Sequence, residues 1–263
     1  MGYLSFMICF LASVIGAICG IGGGVIIKPV LDAFGGMDTG TINFLSGCTV
    51  LSMTTYSVAK SKISGESHVK IRTGLPLAIG AAAGGIAGKW LFSLLEGMYE
   101  KPNVIGEIQA VCLCLITIGT LCYTVFKEKI KTHHVENSIV CAVIGAFLGI
   151  ISSFLGIGGG PINLVVLFFF FSMSIKAAVE NSLYIIFFSQ LANLGCNIIT
   201  KSVPNFTYHV LVWMVVGGIL GGIVGRKINK KIDEETVNKL YLGLMVVIIV
   251  INICNIYKFH GME

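Results

Sequence analysis

Charge is scarce in this chain: only 12% of its 263 residues are Asp, Glu, Lys or Arg, against 55% hydrophobic residues and a mean hydropathy of +0.90. That balance excludes an ordinary soluble domain, whose water-facing surface needs about twice that share of charge. Metal and redox signatures are missing too. The nine cysteines (Cys9, Cys19, Cys48, Cys112, Cys114, Cys122, Cys141, Cys196 and Cys254) lie in apolar stretches without C-x-x-C spacing, so they read as small packing residues and no metal or cofactor is expected. No nucleophile faces a base: His68, His133, His134 and His260 fall in connections or the tail, and His209 opens an apolar stretch with no partner in view. An intramembrane enzyme is therefore the weakest reading. The net charge of +5 does not point to nucleic acid, because Lys and Arg sit in the connections between apolar stretches, as in membrane proteins generally.

What the chain has is a glycine cluster that occurs twice inside apolar sequence, Gly20-Ile21-Gly22-Gly23-Gly24 and Gly156-Ile157-Gly158-Gly159-Gly160, 136 residues apart. Neither is followed by the lysine-serine pair of a nucleotide-binding loop. A second match, Gly84-Gly85-Ile86-Ala87-Gly88-Lys89 with Gly221-Gly222-Ile223-Val224-Gly225-Arg226, has nearly the same offset of 137. The two together indicate a duplication, and the small-residue spacing of the second pair suits close helix crossing more than chemistry.

Eight hydrophobic segments follow, at 4–34, 41–59, 74–95, 105–126, 139–171, 177–199, 208–224 and 237–257, giving an all-α polytopic membrane protein of two homologous four-segment repeats, 1–131 and 132–263. Segments one and five are too long for one span and are interrupted by the glycines, so each arm reads as a half-helix. The first apolar stretch runs straight into its glycine cluster, unlike a cleavable leader. If all eight segments cross, Lys and Arg divide evenly between the two sides. If segments one and five are re-entrant hairpins, the repeats become inverted with both termini outside. One side then holds thirteen of the eighteen: Lys60, Lys62, Lys70, Arg72, Lys127, Lys129, Lys131, Lys176, Arg226, Lys227, Lys230, Lys231 and Lys239. The positive-inside bias favours the inverted arrangement.

A half-helix that begins inside the membrane presents free N–H groups and the positive end of its dipole, where glycine lets an anion approach the backbone. Gly22, Gly23, Gly24, Gly158, Gly159 and Gly160 are thus candidate substrate contacts, with Pro161 suited to the first helical position. The competing reading is a tight helix crossing. Lys28, one turn beyond Gly24, either attracts the anion, carries a proton or snorkels to the interface, and Leu164 stands at its counterpart. Asn43, Ser46, Thr54 and Ser57, with Ser182, Ser189, Asn193 and Asn197, form polar stripes on segments two and six that suit helix contacts or a pathway wall, and Asn181 and Gln190 lie beside them. Asn43, Ser46, Asn181 and Ser182 stand first after the breaks and join the candidate site; the more distant members read as packing. Lys176 and Glu180 read as a solvated connection with the capacity to relay a proton.

These features resemble the sulfite exporter TauE/SafE family of membrane permeases. The resemblance rests on Gly20 to Pro29, on Gly156 to Pro161, on Asn181-Ser182-Leu183 and on the glycine-rich segments three and seven, and it spans almost the whole chain. It implies a cell-membrane permease, of the prokaryotic cytoplasmic membrane, for small sulfur-containing anions such as sulfite, sulfoacetate or sulfonates. The alternative is a permease or channel for another small anion. A coupled proton or cation and the lipid bilayer are the other implied partners. Two departures stand out: Lys28 occupies a usually apolar position, and Leu45-Ser46-Gly47 replaces the family's Gly-Thr-Ser pattern.

Overall fold

The computed structural model describes residues 2–34, 36–65, 69–99 and 102–261. Among these it is all-helical: α1 (Gly2–Cys19), α2 (Gly24–Phe34), α3 (Thr39–Ile63), α4 (Ile71–Met98), α5 (Pro102–Phe126), α6 (Ser138–Phe154), α7 (Pro161–Phe171), α8 (Ile175–Ile199), α9 (Tyr208–Lys231) and α10 (Glu234–His260), with a 3-10 turn at Lys127–Lys129. Among the described residues six helices are long and apolar enough to cross a membrane: α1, α4, α5, α8, α9 and α10. The eighth-segment count drawn from sequence is thus met only in part. Segment two forms the 25-residue helix α3, about 38 Å at 1.5 Å per residue, but its buried Thr and Ser residues lower its hydropathy.

Starts are set by side chains that accept from otherwise unbonded backbone N–H groups. Asp38 caps α3 through Thr41 N at 2.9 Å, Asn137 caps α6 through Ile139 N, and Ser174 caps α8 through Ala177 N. Asp233 caps α10, and the Thr236 hydroxyl that donates to it at 2.5 Å holds its carboxyl below the usual range. Helices overrun the drawn segments, as where α9 continues to Lys231, because charged residues stop the hydropathy signal without breaking the helix.

Both overlong segments are broken at their glycines. The arms are unequal: α1 and α6 have 18 and 17 residues, about 27 and 26 Å, whereas α2 and α7 have 11, about 17 Å, and of the four only α1 is long and apolar enough to count among the candidate spans. The chain makes the two breaks in the same way, with left-handed φ at Gly20 (+70°) and Gly22 (+71°) and again at Gly156 (+65°) and Gly158 (+71°). Such φ is costly for any residue with a Cβ.

The main helix contacts cross between the two halves of the sequence. Gly80, Gly84 and Gly88 of α4 lie on Ala142, Ala146 and Ile150 of α6, while Gly217, Gly221 and Gly225 of α9 lie on Phe6, Phe10 and Val14 of α1. Each set maps onto the other at the offset of 136 or 137. A Cβ at Gly84 or Gly221 would run into a backbone carbonyl of the facing helix, so these glycines are there for packing.

Relative directions follow from paired contacts. The α3 and α9 helices run parallel, with Gly218 on Thr49, Gly222 on Met53, and Arg226 donating to the Ser57 carbonyl at 2.7 Å. The α4 and α8 helices are also parallel, Gly74 facing Asn181 and Gly85 facing Ser189. By contrast, α3 and α8 are antiparallel, since Ser61 donates to Glu180 while Gly47 faces Gln190. So are α5 and α10, where Gly106 meets Phe259 and Lys127 donates to Asn238 at 2.9 Å.

Candidate functional site

The breaks meet at the centre of the bundle. A Cβ on Gly24 would run into the Ile157 carbonyl, and one on Gly159 would lie 3.3 Å from the Ile21 oxygen. Val50 and Ile186, near the midpoints of α3 and α8 and 136 residues apart, pack on this junction: Val50 touches Gly22, Gly24 and Gly158, and Ile186 touches Gly22 and Gly159. Two facing 11-residue arms thus begin at one point, α7 with Gly160 before it and Pro161 in its first turn.

A cavity opens on either side of the junction. The wider, about 640 Å³, lies among the C-terminal ends of α1, α3 and α9 and the N-terminal end of α8, and its polar lining is Ser57, Lys176, Glu180, Arg226, Asn229 and Lys230. The narrower, about 80 Å³, lies among the C-terminal ends of α6, α4 and α8 and the N-terminal end of α3, and includes Asp38, Asn43, Lys89, Glu96, Ser153, Gly156, Asn193 and Asn197. Exchange of the repeats carries one wall into the other: Ala17 maps to Ser153, Ser57 to Asn193, and Lys89 to Arg226. The two vestibules are thus lined in part by residues at counterpart positions 136 or 137 apart.

Buried polar atoms without hydrogen-bond partners among the described residues cluster on α3, α6 and α8, the helices that line the two cavities. They include Asn43 Oδ1, Ser46 Oγ, Ser57 Oγ, Ser153 Oγ, Asn181 Oδ1, Ser189 Oγ, both amide atoms of Gln190, and the Oδ1 atoms of Asn193 and Asn197. A dry core does not tolerate so many, at about 1–3 kcal/mol each. At such positions ordered water or a polar ligand supplies the missing partners.

Of the sequence-predicted contacts, Gly22, Gly23, Gly24, Gly158, Gly159 and Gly160 come together at the junction but line neither vestibule. Asn43 abuts Gly156 and lines the narrow vestibule. Ser46 is fully buried beside it on α3. On α8, Asn181 donates to the Ala177 carbonyl at 2.9 Å, and Ser182 accepts from Asn163 at 3.4 Å. Lys28 neither snorkels nor faces a vestibule: it is buried, and donates to Asp32 at 2.7 Å. Lys258 and Asn255 of α10 hold the same turn through the Asp32 and Pro29 carbonyls, both at 2.8 Å.

Ser57, Asn193 and Asn197, which read in sequence as packing or a pathway wall, and Lys176 and Glu180, which read as a connection able to relay a proton, all line a vestibule. Gln190, fully buried against Gly47 and Gly158, was marked only by its place beside the polar stripe. Among the described residues no histidine lines either vestibule. His133 and His134 lie between helices, His209 is in the first turn of α9, His260 faces Glu107 at 3.5 Å, and His68 lies outside the described residues. Among the described residues no group of His, Cys, Asp or Glu could hold a metal.

The family model for the sulfite exporter TauE/SafE matches residues 5–251, nearly the whole chain. The chain belongs to the TauE/SafE family. No curated protein and no solved structure matches it. TauE/SafE proteins are membrane permeases, so the apolar helices of this TauE/SafE chain belong in a bilayer. The duplicated glycine breaks and the glycine-faced α4 and α9 fall within the matched span.

Proposed function

We propose that the chain is a secondary permease for small sulfur-containing anions, such as sulfite, sulfoacetate or sulfonates, working by alternating access with the anion held at the two glycine breaks. The observation that carries this reading is the pair of repeat-related vestibules on opposite sides of a closed junction. The N-termini of α2 and α7 converge there and favour negative charge. In the present conformation the junction is packed and the wide vestibule open, as expected of one end-state of a two-sided cycle. An open channel would need a continuous aqueous path instead.

In this reading segments one and five are re-entrant hairpins, the repeats 1–131 and 132–263 are inverted, and both termini lie outside the cell membrane. Four helix pairs support it. Eight full crossings would make α3 and α9, and likewise α4 and α8, antiparallel, and would make α3 and α8, and α5 and α10, parallel. Each pair runs the other way. The wide vestibule then faces the cytoplasm, on the side rich in Lys and Arg. Moving one negative charge outward across 100 mV releases about 2.3 kcal/mol, so export needs no coupling ion, whereas uptake requires a co-transported proton or cation.

Purified protein in liposomes, offered labelled sulfite, sulfoacetate, taurine and acetate under imposed pH gradients and membrane potentials, tests the proposal. Saturable flux of a sulfur-containing anion is expected. Non-saturating flux identifies a channel, and preference for acetate moves the substrate class to carboxylates.

A further inference from the structure

Functional groups in an internally duplicated transporter are expected to come in equivalent pairs, and one charged pair does. Arg226 follows Gly225 of α9, and Lys89 follows Gly88 of α4, 137 residues earlier. In both places that glycine docks on the first arm of the other half's broken helix, Gly225 on Val14 and Ala17, Gly88 on Ile150 and Ser153. Docking fixes the next side chain beside the end of that arm, so Arg226 lines the wide vestibule with Ala17, and Lys89 lines the narrow one with Ser153.

Both cations keep unused donor capacity. Arg226 donates one Nη1 hydrogen to the Ser57 carbonyl, but its buried Nε–H has no partner among the described residues. The Lys89 ammonium lies 5.1 Å from the centre of the Phe92 ring and meets no hydrogen-bond acceptor among the described residues. A guanidinium edge and an ammonium are the donors that hold small oxyanions.

We propose that Arg226 and Lys89 are the anion anchors of the two vestibules, equivalent posts that receive a small oxyanion on opposite faces and pass it to the glycine junction. This rests on the permease reading and adds the residues that give each face its affinity. The posts are unequal. Three cations and one carboxylate line the wide vestibule (Lys176, Arg226 and Lys230 with Glu180), against one cation and two carboxylates in the narrow one (Lys89 with Asp38 and Glu96). An anion is therefore held more tightly on the Arg226 face. A merely structural cation, complementing the negative end of α1 or α6, would affect both transport directions alike.

The test is sulfite flux in right-side-out and inverted membrane vesicles, which present the two faces separately. R226Q should raise the KM for sulfite offered to the Arg226 face about tenfold or more, the loss of one charge-assisted hydrogen bond, and leave the opposite KM within about twofold. K89Q should show the reverse pattern, while R226K and K89R recover most of the affinity. Equal shifts from both faces, or no shift from either, overturn the proposal. Thermal stabilisation of detergent-solubilised protein by sulfite reads the wide post without flux and should diminish in R226Q; undiminished stabilisation counts against the anchor. Stabilisation through Arg226 without wild-type flux would retire the permease reading and keep the anchor. Wild-type flux with no one-sided KM change would do the opposite.

Discussion

Gly24→Ala is the most direct probe of the junction. Gly24 is the first residue of α2, with helical backbone, so alanine there brings no conformational strain of its own. The added methyl instead meets the Ile157 carbonyl, a backbone group that cannot swing aside. One methyl forced into a packed interior costs about 1–3 kcal/mol, and if the breaks must pass each other in the slow step, flux falls about fivefold to a hundredfold. The assay is the initial rate of labelled-anion transport per inserted molecule, with melting temperature measured in detergent. Gly243→Ala is the control, because nothing lies within 4 Å of its Cβ position. It should leave flux unchanged and raise stability slightly through better helix propensity. A wild-type rate with a lowered melting temperature in G24A would refute the reasoning, since the contact would then be structural and outside the transport cycle.

Other expectations concern charge, side and polarity. Lys28→Met or Asp32→Asn alone leaves a buried partner uncompensated and should cost about 3–5 kcal/mol, read as loss of folded protein in detergent. The double change K28L/D32F reproduces Leu164 and Phe168 of the second repeat and should restore folding with transport kept; a folded double variant without flux would assign Lys28 a direct role. In a background freed of native cysteines, single cysteines at Lys62, Lys129 and Lys230 should label from one membrane face and Lys201 from the other, and labelling of Lys62 and Lys230 from opposite faces would reject the inverted arrangement. Gln190→Met removes two unpartnered buried polar atoms, so it should raise the melting temperature while lowering flux; unchanged flux would place Gln190 off the route.

The breaks were legible because glycine runs are rare at membrane depth and these two recur at one offset. Helix existence was legible from apolar length, but helix pairing was not: a hydrophobic face does not name its partner, and nothing local says that α4 docks on α6 or α9 on α1. Lys28 shows a missed signal, since Asp32 stands at i+4, the spacing of a helical ion pair. In sequence Arg226 is an orientation charge at the end of an apolar segment, and only packing of α9 on α1 turns it toward a vestibule. Ser57, Asn193 and Asn197 are distant along the chain from the glycines and so read as packing, whereas antiparallel α3 and α8 carry those residues to the two mouths.

The crossed docking of α1 with α9 and of α4 with α6 binds the two halves of the gene product to each other more tightly than each is bound to itself. A first half made alone would display a glycine groove on α4 and the matching ridge on α1, and a second copy could supply both. Under the inverted arrangement proposed above, such a half-length subunit would pair with itself only when inserted in both orientations, and joining two copies end to end would fix one copy each way up.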